Sequence, residues 1–187
     1  VSADSRLTPL ATAHSLVGFT TCACLLVFYA AGEPFGILND IGNAALGVLS
    51  LVLARRLPAP IPAQADIGSA LVRRGLLLAA AAVGAALTVV GTVLVLSGVT
   101  GFYLAGLWSS LGFALIGIWL IGVRGVLPGV VMLLGLVGIP GILTGLDDMN
   151  NVPPWIFVAG VSWAGTYLLF PTWSLRLARQ HRAEGVG

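Results

Sequence analysis

Hydrophobic positions fall in six long blocks separated by short polar stretches, with limits near residues 10–31, 35–54, 71–97, 102–123, 127–146 and 155–175. Each block is close to the ~20 apolar residues that an α-helix needs to cross the hydrocarbon core of a bilayer. Helices satisfy their own backbone hydrogen bonds, so they are the form such blocks take where water is absent. The pattern predicts an all-α polytopic membrane protein, a bundle of six transmembrane helices forming one integral membrane domain over residues 1–187.

The polar stretches alternate in charge. Arg55, Arg56, Arg73 and Arg74 flank the second connection, Arg124 lies in the fourth, and Arg176, Arg179 and Arg182 lie in the tail. The first and fifth connections carry only Glu33, Asp147 and Asp148. Under the positive-inside rule this places both termini in the cytoplasm. The expected location is a plasma membrane of bacterial (inner-membrane) type, with both termini cytoplasmic. The first block lacks a small-residue cleavage site at a sensible distance and runs through Glu33-Pro34 into the second, so it is read as retained.

Local signals refine the connections. Leu57 to Ala70 holds three prolines and reads as a semi-rigid extended linker. Asp66 and Ser69 are candidate caps for a third helix that is longer than the bilayer needs. Gly98, Thr100 and Gly101 predict a tight turn between the third and fourth blocks. In the fifth block, Gly138, Pro140 and Gly141 remove a backbone donor and predict a kink or break, a feature that packs helices in some proteins and opens carbonyls toward an ion in others. A weak echo aligns Gly42 with Gly112 and Gly47 with Gly117, and Gly160 with Gly165 repeats the spacing.

Composition agrees with this picture: 58% of residues are hydrophobic and 9% charged, against roughly 25% charged in a soluble domain. The net charge of +2 comes from rim arginines and argues for contact with anionic lipid rather than nucleic acid. Cys22 and Cys24, mid-block, read as small reduced core residues. Lysine is absent, which excludes a retinal Schiff base and a lysine phosphate loop. No cofactor is implied, and no metal site is assigned.

The strongest chemical candidate is FGILNDIGN in the second block. At about 1.5 Å rise per residue, Asp40 lies roughly 8 Å below the start of its helix. A charged Asp at a helix midpoint costs about 2.5 to 3.5 kcal/mol on insertion scales, so the helix should turn it toward protein or water. Asn39 and Asn43 share a face, with Asp40 alongside. One reading makes this patch, with Glu33, Asp147, Asp148, Asn150 and Asn151 above it, an outward-facing pocket for a cation, a proton or a polar solute. The other makes the amides and carboxyl interhelical glue, worth about 1 kcal/mol each.

Weaker candidates follow. His14 reads as interfacial, and with His181 in the tail no pair has the spacing of haem or zinc ligands. Ser109, Ser110, Ser162 and Thr166 read as interhelical hydrogen-bonding groups, and no catalytic residue or enzyme activity is expected. Trp108, Trp119, Trp163 and Tyr167 are packing residues or cavity walls. Gly141 with Gly145, and Ala80 with Gly84, have the small-xxx-small spacing of close helix packing, within the chain or between copies.

In size and six-helix layout the chain resembles the substrate-binding subunits of energy-coupling-factor vitamin transporters, without a shared residue motif. The resemblance implies that so short a chain suffices to take a small molecule from the outer side while partner subunits supply energy. Two expectations result. One is binding or transport of a small solute or ion near Asp40; the other is a non-catalytic accessory subunit packed against a membrane-protein partner or a second copy.

Overall fold

The computed structural model describes residues 6–57, 66–146 and 153–184. Among them are eight α-helices: α1 (Leu7–Ala31), α2 (Phe35–Arg56), α3 (Ile67–Leu96), α4 (Phe102–Gly122), α5 (Val126–Leu133), α6 (Ile139–Thr144), α7 (Trp155–Ala164) and α8 (Phe170–Glu184). A 3-10 stretch, Leu134–Gly138, joins α5 to α6, and a π-helical turn, Gly165–Leu169, joins α7 to α8. The result is six rods long and apolar enough to cross a membrane, as in an integral membrane protein.

Side-chain placement follows the same logic. Leu16, Leu26, Leu71, Leu76 and Phe157 are exposed, while Ala11, Gly18, Thr21, Ala81 and Gly84 are buried. Large apolar groups gain little by leaving lipid, and the small interior residues let backbones approach, while Leu46, Phe113, Trp119, Leu120 and Phe170 fill the rest of the core. Consecutive rods run antiparallel, and α8 closes the bundle by packing back on α1, where Gly18 meets Pro171.

The fourth rod is the hub. A Cβ placed on Gly112 would lie 2.6 Å from the Gly84 carbonyl of α3, and one on Gly129 would lie 2.6 Å from the Gly117 carbonyl of α4. Only glycine permits either approach. The echo between blocks two and four has a counterpart here. Gly42 and Gly112 each face the preceding helix, at Thr21 and Gly84, whereas Gly47 and Gly117 each face the following one, at Thr88 and Gly129. Gly160 departs from it, with open space beside it.

Helix ends explain the connections. Asp66 caps α3 by accepting from the Ser69 amide at 2.8 Å, and that hydrogen bond holds the Asp66 carboxyl below its ordinary range. The turn after α3 uses Gly98 at φ 70°, in the left-handed region. α3 is 30 residues long, roughly 45 Å, and so exceeds the ~30 Å hydrocarbon thickness.

Several expectations change. Gly145 is the left-handed end of α6, with φ 64°, rather than a helix-packing position. Cys22 and Cys24 are free thiols and half-buried, Cys22 packing against the core. The last rod continues past residue 175 to Glu184, because Pro171, Ser174 and Ala178 form a buried stripe while Arg176, Arg179 and Arg182 face outward. His14 is completely buried in the bundle, against Phe170 and Ser174 of α8 and Ser50 of α2.

Candidate functional site

The polar residues of α2 form the centre of a small internal chamber. Asn39, Asp40 and Asn43 are each at most 3% exposed. A relay of donors orders them: the Tyr167 hydroxyl donates to Asn43 Oδ1 at 2.7 Å, Asn43 Nδ2 to Asn39 Oδ1 at 3.3 Å, and Asn39 Nδ2 to the Thr21 carbonyl at 3.1 Å. The π-helical turn supplies Tyr167 and α1 supplies Thr21, so one chain of hydrogen bonds ties three rods together. On the other side, Thr92 Oγ1 of α3 donates to the Asp40 carbonyl at 2.6 Å.

Asp40, Asn39, Asn43, Ser109, Ser110 and Tyr167 supply the polar atoms of the chamber wall; Leu25, Phe102, Gly106, Phe113 and Trp163 complete it. Its volume is about 10 Å³, near the threshold for holding one water molecule. Ser109 Oγ is buried there without a hydrogen-bond partner. Such an unpaired hydroxyl costs about 1–3 kcal/mol. The wall is rich in oxygen acceptors, a donor set suited to a proton or a cationic head.

Beside the chamber, at the end remote from the arginines, lies a groove of about 550 Å³ between α1, α4 and α7. Tyr29, Tyr103, Leu107, Ile156 and Phe157 give it an aromatic, apolar surface. Phe102, Gly106, Ser110 and Trp163 line both spaces. Between them the Trp163 indole N–H donates to Ser110 Oγ at 3.1 Å, forming a partition. Gly160, with no neighbour against it, keeps the groove open on the α7 side.

The remaining candidates are placed elsewhere. Glu33 is exposed at the start of α2, where its Oε2 accepts from the Ile37 amide at 3.2 Å, and it lines neither space. Asp147, Asp148, Asn150 and Asn151 lie outside the described residues. Gly138 and Gly141 pack against Leu107, and Gly141 also against Trp155, while Pro140 is exposed. The irregular backbone precedes Pro140, at Leu134–Gly138, and supports the groove from behind through Leu107 rather than opening into the chamber.

A second interior cluster, toward the arginine end, escaped the sequence reading. His14 Nε2 lies 3.1 Å from Ser50 Oγ, and Ser174 Oγ lies 2.9 Å from His14 Nδ1. Ser50 gives its proton to the Leu46 carbonyl at 2.7 Å, so it accepts from Nε2–H, leaving Nδ1 to accept from Ser174. A neutral imidazole satisfies every bond in this arrangement. The Ser50 proton points at a backbone carbonyl rather than at the imidazole, which is the geometry of a structural clasp between α1, α2 and α8. Phe170 packs against the ring in a tilted contact, with centroids 4.1 Å apart, and connects the clasp to Trp119 and Trp173. The small-residue stripe through Ser174 was the available signal.

No protein-family model, curated protein or solved structure matches this chain.

Proposed function

We propose that this protein binds, and moves or presents, a small amphipathic cation, with its apolar body in the aromatic groove and its cationic head directed at Asp40. The observation that carries the reading is the shared wall: an apolar groove of about 550 Å³ adjoins an oxygen-rich chamber across one tryptophan–serine hydrogen bond. Sites for small molecules combine an apolar lining with a few convergent polar groups, typically within ~300–1,000 Å³. A carboxyl buried in a membrane span is costly unless it has a partner or a task. Displacement of Trp163 would merge the two spaces, and the unpartnered Ser109 hydroxyl would gain a partner when the chamber is filled.

In this reading both termini and the arginine end face the cytoplasm, and the groove opens on the outer half of a plasma membrane. Asp147, Asp148, Asn150 and Asn151 would then attract cations toward the same side.

The test uses 2-phenylethylammonium, with 2-phenylethanol as its neutral counterpart. The ammonium compound should raise the Tm of the detergent-solubilised protein and the alcohol should not. Asp40→Asn, which keeps the shape and removes the charge, should stay folded and lose that shift. Equal shifts from both compounds, or an unchanged shift in Asp40→Asn, would refute the cation reading.

A further inference from the structure

We propose a second binding site, for the phosphate group of an anionic amphiphile, in the cleft between the start of α5 and α8. The cleft has a volume of about 320 Å³ and is lined by Arg124 to Pro128 on one side and by Leu169, Thr172, Trp173 and Arg176 on the other. Arg124 and Arg176 are exposed at this end of the bundle, whereas Pro128 is buried. No carboxylate lines the cleft among the described residues. Two guanidinium groups facing one cleft match a phosphate, because their planar forks donate paired hydrogen bonds to its oxygens.

Local backbone strengthens the assignment. Arg124 follows α4 with φ 73°, the one non-glycine residue at positive φ among the described residues. Glycine is the usual occupant of such a position, and a long side chain there is strained. The strain is tolerated where the side chain itself has a task. α5 begins at the next residue but one, and its N-terminus carries no side-chain cap, so its first amides add positive potential on the same side. Val126, Leu127, Pro128 and Leu169 form the apolar part of the cleft, beside which the Trp173 indole sits half-buried. That combination suits a headgroup phosphate with the first carbons of its tail. A free phosphate would use the arginines alone.

The experiment compares retention of dioleoylphosphatidylglycerol and dioleoylphosphatidylcholine by the purified full chain, using native mass spectrometry, with inorganic phosphate tested separately by its effect on Tm. The test variant is Arg124→Gly combined with Arg176→Gln; the control is Arg179→Gln combined with Arg182→Gln, which removes equal charge from α8. Glycine suits the Arg124 backbone, so the variant should keep its unliganded Tm. Wild type should retain the anionic lipid over the zwitterionic one, and the test variant should lose at least about tenfold in retention while the control does not. Stabilisation by inorganic phosphate that depends on Arg124 and Arg176 would make the source a soluble phosphate and would uphold the site. Equal loss in test and control variants would reduce the effect to diffuse surface charge and overturn it. So would equal retention of both lipids with no phosphate effect.

Discussion

At the scale of single residues, the interior divides its polar groups between two clusters with different chemistry. The His14 clasp is closed: each donor among His14, Ser50 and Ser174 has an acceptor. The Asp40 chamber is open-ended, with Ser109 Oγ unpartnered and a partition separating it from a groove. Two substitutions separate their roles. His14→Ala removes a buried ring and two hydrogen bonds, so thermal denaturation should show a loss of about 3 kcal/mol while the Tm shift by 2-phenylethylammonium persists. Tyr167→Phe leaves Asn43 Oδ1 without its donor, so about 1 kcal/mol should be lost and the ligand shift should shrink with it. The α2 half of the chamber was legible in the sequence, because Asn39, Asp40 and Asn43 lie within one helical turn. Its other half was not: Tyr167 reaches Asn43 across 124 positions of chain, from a π-helical turn, and no local pattern pairs the two. The burial of His14 was not legible for a similar reason, since it depends on the last helix covering it.

At the scale of elements, glycine contacts set how closely the rods approach. Gly112→Ala would drive a methyl into the Gly84 carbonyl, a backbone atom that no rotamer change can move, and should cost about 1–3 kcal/mol in a denaturation experiment. Gly75→Ala, also helical but in open space, should stabilise by up to about 1 kcal/mol. A similar gain in both would mean that helix propensity, not contact, sets the stability. The six blocks and most of their limits could be read from hydropathy because a membrane helix must stay apolar for its whole length. The position of the irregular turn in the fifth rod could not: Pro140 marked the region, but the 3-10 stretch lies before it, where Gly135 and Gly138 pack closely on Ser110 and Leu107 of α4. The π-helical turn before α8 carries a similar mark in Pro171, two residues past Leu169, which the sequence reading did not use.

At the scale of the whole molecule, the arginines gather at one end and the groove lies toward the other, so orientation decides which half of the membrane holds the site. With Cys22 and Cys24 replaced by serine, a cysteine at Val99 should react with an impermeant thiol reagent added outside intact cells, and one at Gln180 should not. The reverse pattern would place the groove on the cytoplasmic side. The central claim is that Asp40 receives a cationic head once the Trp163 partition moves. An experimental structure of the protein with 2-phenylethylammonium tests it most directly. The account predicts an ammonium within hydrogen-bond distance of the Asp40 carboxyl, the phenyl ring among Phe102, Tyr103 and Phe157, and the Trp163–Ser110 bond broken. A ligand lying in the groove with its ammonium turned away from an intact Trp163–Ser110 partition, or no ligand there at all, would contradict it.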